Sequence, residues 1–102
     1  MTRASVEDRL DIHDLFARYA RALDDGDVDG IASCFSDTAE LDSPIVGKYA
    51  GRDGIRKFAE RYSQFRRQRG QTRHFISNIE AGVDGNTAKA HAYLMCCITR
   101  DG

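Results

Sequence analysis

The sequence has no long hydrophobic run, one proline and no surplus of charge of either sign. No apolar stretch approaches the ~20 residues that span a bilayer, so no membrane-crossing helix is expected. The first residues, Met1 to Asp8, lack an apolar core, which argues against a secretory leader. The formal net charge is −1, from 15 basic and 16 acidic residues. Nucleic acid as the main partner would favour a strongly basic face, so that class is set aside. The three cysteines, Cys34, Cys96 and Cys97, are odd in number, and no CxxC or HxxxH spacing marks a metal site. Neighbours such as Cys96 and Cys97 point to opposite faces of a strand and are poor partners for each other. The composition fits a reduced, cytoplasmic chain.

What is present reads as one domain over residues 1–102, with helices first and strands later, an α+β pattern. A first helix is expected from about Val6 to Leu23, with Ser5 as its N-cap. Ile12, Phe16, Tyr19 and Leu23 form one stripe at helical spacing. His13 sits on the shoulder of that stripe and reads as structural. Gly26 suits a left-handed helix end. A short helix is predicted over about Val28 to Phe35, and a short strand over Thr38 to Asp42, closed by Ser43-Pro44. Gly47 to Gly51 reads as a loop or edge strand. Asp53 is expected to cap a third helix, Gly54 to Arg69, with Ile55, Phe58, Ala59, Tyr62 and Phe65 on one stripe. Arg66, Arg67 and Arg69 read as a solvated C-terminal end, where positive charge is favourable.

Two long strands follow, Thr72 to Val83 and Asn86 to Thr99. The intervening Asp84-Gly85 is a hairpin signal, because a type I′ turn needs positive φ at both central residues. If those two residues are the loop, His74 lies opposite Met95, Ile76 opposite Tyr93, and Asn78 opposite His91. One face then carries His74, Ile76, Asn78, His91, Tyr93 and Met95. Imidazoles, an amide and a phenol among apolar groups suit a pocket wall. The two histidines would stand roughly 13 Å apart and flank one small molecule. A three-residue loop would put them on different faces.

Three segments carry a family resemblance. They are Phe16 to Ile31 (FARYARALDDGDVDGI), Gly51 to Phe58 (GRDGIRKF) and Thr72 to Asn78 (TRHFISN). Together they resemble nuclear transport factor 2-like, or SnoaL-like, domains. The resemblance implies a cone-shaped, cystatin-like roll, with three N-terminal helices packed on a curved antiparallel sheet. The fold hosts many activities, so function must come from the site. Scytalone dehydratase-like members use a tyrosine, an aspartate after the first helix and strand histidines. Tyr19, Asp24, His74 and His91 occupy the matching places. The ketosteroid isomerase-like branch puts its base where this chain has Ser43, with Asp42 one position earlier, a departure that weakens the isomerase reading.

The resemblance therefore implies a cofactor-free lyase or isomerase for a small, apolar, oxygenated molecule. His74, oriented by Asp24, would remove a proton next to a carbonyl. Tyr19 would bind the oxyanion, and His91 would protonate a leaving hydroxyl. Phe16, Asp42, Phe58, Ile76, Asn78, Tyr93 and Met95 are the expected substrate contacts. A thiol nucleophile at Cys96 or Cys97 lacks an activating neighbour. The rival reading is a non-catalytic ligand-binding or oligomerisation domain. Family members usually continue into further strands, so the end at Gly102 suggests an incomplete sheet. An open edge on the last strand would then favour a homodimer.

Overall fold

The computed structural model describes residues 2–100. The expected end at Gly102 lies outside the described residues. Eight elements follow in order: β1 (Thr2–Arg3), α1 (Val6–Asp25), α2 (Val28–Ser33), β2 (Glu40–Ser43), β3 (Gly47–Ala50), α3 (Gly51–Arg69), β4 (Gln71–Asp84) and β5 (Thr87–Thr99). The α+β class is observed, with three helices and antiparallel strands. The strands form two separate sheets, β1-β4-β5 and β2-β3. The expected single sheet had no place for β1, which pairs with β4 at Gly82 and Val83.

Local chemistry sets the helix ends. The Ser5 side chain accepts the Asp8 N–H at the start of α1. At its other end Gly26 adopts φ 66°, and the Asp27 N–H reaches back to the Ala22 carbonyl, an arrangement only a left-handed residue permits. Asp27 then caps α2 by accepting the Gly30 N–H. The expected cap at Asp53 is corrected. Helix α3 starts three residues earlier than expected, at Gly51 after Ala50, without a side-chain cap, and Asp53 lies inside its first turn. Pro44 falls in the turn between β2 and β3, consistent with its missing N–H.

The core gathers Ala22, Leu23, Ile31, Phe58 and Ala59 from the three helices, with Tyr19, Phe35, Leu41, Tyr49 and Tyr62 packed around them. Phe58, expected to touch substrate, is instead a buried core residue between Tyr49 and Tyr62.

The hairpin register departs from expectation in two ways. The loop is Gly85-Asn86, closed by the pair Asp84–Thr87. Gly85 has φ 60° and Asn86 does not share a positive φ, as a type II′ turn requires. In addition, β4 carries a bulge between Ser77 and Glu80, where Asn78 takes φ 55°. Two residues, Asn78 and Ile79, there oppose one, Ala92. The pairs are therefore His74–Cys96, Ile76–Leu94, Ser77–Tyr93 and Glu80–His91. The shared face of His74 and His91 is corrected. His91, Tyr93 and Met95 lie on the outer face with Phe75, while His74 and Ile76 share the inner face with Leu94, Cys96 and Ile98.

Candidate active site

Three elements converge on His74. Asp24 stands in the last turn of α1, where the Gly26 cap turns the chain away. Its backbone carbonyl is held by the Arg66 guanidinium and by Gln71 Nε2 at 3.2 Å. Ser63, buried on α3, donates to the Gly26 carbonyl at 2.9 Å and fastens the same turn. The Asp24 carboxylate is thus fixed at the start of β4.

There it accepts three donors. The fully buried Thr72 hydroxyl reaches Oδ1 at 3.1 Å, and the His74 backbone N–H reaches Oδ2 at 3.1 Å. His74 Nδ1 lies 2.6 Å from Oδ1. The two side chains are 7% and 12% exposed. A carboxylate already receiving two donors is an acceptor, so it selects the imidazole tautomer with its proton on Nδ1. That leaves the lone pair on Nε2. Nε2 lies 3.2 Å from the Tyr62 hydroxyl, and the two rings stand 5.8 Å apart. Carboxylate, imidazole and phenol form one chain from α1 through β4 to α3.

Burial raises the Tyr62 hydroxyl above its ordinary pKa, with Cys96 and Asp24 adding to the rise and Thr72 and Arg66 opposing it. Burial raises the Cys96 thiol as well, and nearby Asp24 adds to it. A thiol held protonated is a poor nucleophile. Among the described residues no group of three His, Cys, Asp or Glu side chains could hold a metal ion.

A cleft of about 790 Å³ runs between α1 and β4, lined by Phe16, Ala20, Arg21, Asp24, His74 and Ile76. Nε2 is directed instead at Tyr62, which does not line that cleft. On the inner sheet face that carries His74, Leu94 is 57% and Ile98 40% exposed.

The expected residues therefore divide. Asp24 and His74 come together, and Phe16 and Ile76 line the adjoining cleft. Tyr19 packs edge-on against Phe35 in the core, and burial pushes its hydroxyl up to about 12. Asp42 is exposed on β2, and Asn78 is exposed at the bulge. His91, Tyr93 and Met95 are not brought to His74. Tyr62 is the residue that sequence reasoning missed. It sits on the same apolar stripe as Phe58, and only the fold distinguishes the two.

A SnoaL-like domain model matches residues 4–102. The chain belongs to the SnoaL-like family. Among solved structures, a Novosphingobium aromaticivorans protein assigned as an aromatic ring hydroxylase shares 30% identity, with TM-score 0.81 over 92% of this chain and 66% of that one. A Nostoc punctiforme protein of unknown function with a cystatin-like fold shares 23% identity, with TM-score 0.77 over 96% and 71%. The hexachlorocyclohexane dehydrochlorinase LinA-type3 of Novosphingobium barchaimii shares 21% identity, with TM-score 0.74 over 89% and 62%. These likenesses establish the cystatin-like fold. No curated protein matches the sequence. The chain spans between 56% and 71% of the length of four such solved relatives. Among the described residues, no helix is long and apolar enough to cross a membrane.

Proposed function

We propose that this SnoaL-like domain is a cofactor-free lyase that eliminates water or a similar small leaving group from an oxygenated, mostly apolar molecule. The observation that carries this reading is the buried Asp24–His74 pair, 2.6 Å apart, with Nε2 left as the base. A base of this kind removes a proton next to a carbonyl, where the resulting carbanion is stabilised as an enolate. Asp24 fixes the tautomer and stabilises the imidazolium that forms. The exposed Leu94, Cys96 and Ile98 on the sheet face of His74, and Phe16 and Ile76 in the adjoining cleft, suit a hydrophobic substrate body. A structural relative that is a dehydrochlorinase supports elimination as the reaction class. Three free cysteines agree with a reducing, cytoplasmic setting.

The test is proton exchange. The protein is incubated in D2O with a panel of small aryl ketones, and loss of the α-proton signal is followed by NMR. Wild type should exchange the proton, and His74→Ala should lose exchange at least 100-fold while keeping its fold by circular dichroism. His74→Ala exchanging at the wild-type rate would sink the assignment.

A further inference from the structure

An elimination needs an acid as well as a base, and the expected acid, His91, lies on the far face of the sheet. The Asp24 carboxylate is committed to acceptance, and burial holds the nearby Cys96 thiol to its proton more tightly than usual. One hydroxyl remains at the reactive atom. Tyr62 stands on α3, its ring wedged between Phe58 and Phe65 at centroid separations of 6.1 and 6.0 Å and tilted on His74. Three ring neighbours fix its position, so its hydroxyl is held 3.2 Å from Nε2.

We infer that Tyr62 is the catalytic proton donor to the leaving hydroxyl, and that His74 returns the proton to it. The inference rests on the acid–base reading of Asp24 and His74. The steps balance. His74 Nε2 takes the proton α to the carbonyl, leaving an enolate. The enolate electrons form the carbon–carbon double bond as the β carbon–oxygen bond breaks. Tyr62 gives its proton to the departing oxygen, which leaves as water, and Tyr62 becomes phenolate. The imidazolium Nε2–H then passes its proton across the 3.2 Å contact to the phenolate. Both side chains end as they began, and the net change is loss of one water.

The separation has a stereochemical consequence. A base atom and an acid oxygen in hydrogen-bond contact serve only bonds on one face of the substrate. The hydrogen and the hydroxyl therefore leave from the same side. The residue also explains why a phenol serves here. A hydroxyl in a half-buried, apolar setting keeps its proton until the leaving oxygen develops charge.

The test uses a β-hydroxy aryl ketone and its β-acetoxy analogue, whose acetate needs no proton to depart. Tyr62→Phe keeps the ring contacts and removes only the hydroxyl. It should still exchange the α-proton in D2O within about threefold of wild type. It should lose elimination of the β-hydroxy ketone by about 10²–10⁴-fold, the usual worth of a positioned acid, and retain elimination of the acetate to within tenfold. His74→Ala should lose all three. If Tyr62→Phe eliminates water as wild type does, the donor assignment is overturned and the Asp24–His74 reading stands. Equal loss of exchange and of both eliminations would also overturn it, since the hydroxyl would then only position His74. Wild type inert in every assay would overturn both readings.

A further measurement needs no variant. The alkaline limb of wild-type kcat on the β-hydroxy ketone should fall above pH 10, because burial raises the phenol. A limb below pH 9 would identify another donor and sink the proposal.

Discussion

At the residue scale, Asp24 links stability to chemistry. Its carboxylate satisfies Thr72, which is fully buried, and both nitrogens of His74 that face it. Asp24→Ala would strand these donors, at about 1–3 kcal/mol for each buried group left unpaired. Urea denaturation should show a loss of at least about 2 kcal/mol, and an unchanged midpoint would contradict the network. Tyr19 gives a second prediction. Its hydroxyl is pushed up to about 12 by burial, with Cys34 and Tyr62 adding to it. A phenol whose folded pKa exceeds its unfolded value of about 10 stabilises fully below pH 10. That stability is lost as pH rises from 10 through 12. The loss is on the order of 2 kcal/mol, and Tyr19→Phe should abolish this part of the alkaline decline in thermal melts.

At the element scale, two backbone positions decide where the strands point. Gly70 joins α3 to β4 at φ 119°, and a Cβ there would run into the backbone carbonyl of Thr99 on β5. Gly70→Ala should therefore cost more than the ~1–2 kcal/mol of left-handed strain alone. A melting temperature within 2 °C of wild type would refute this. Asn78 sets the bulge with φ 55°, a conformation that asparagine tolerates and β-branched residues resist. Asn78→Gly should be neutral or slightly stabilising, and Asn78→Val should destabilise the hairpin by about 1–2 kcal/mol. Hydrogen exchange along β4 reads this locally. By contrast, the exposed Asp29–Arg56 pair between α2 and α3 should matter little, as surface pairs do.

At the scale of the whole molecule, β5 pairs on one side only among the described residues. Its outer face carries Tyr93 and Met95, 71% and 62% exposed. We propose that a second copy of the chain covers this strand, since identical strands pair antiparallel about a two-fold axis. Sedimentation equilibrium should give twice the monomer mass, falling to one with Tyr93→Lys. A wild-type monomer at 100 µM would overturn it.

The sequence by itself determined the helices, the two long strands and the family. Those follow from local terms: the stripe from Ile12 to Leu23, the Ser5 cap, the Gly26 turn and the Asp84-Gly85 signal. It also pointed to Asp24 and His74, through their places in the family pattern. It could not determine which residues would face them. The turn at Gly85-Asn86 moved the pairing by an even step that keeps the faces, but the extra residue at Asn78 put the whole of β5 on the opposite face relative to His74. Register is a tertiary property here, because nothing local to β5 says which side meets the helices. Tyr62 belongs to the same class of fact. Its stripe predicted burial, and only the packing of α3 over β4 brought its hydroxyl to the lone pair of His74.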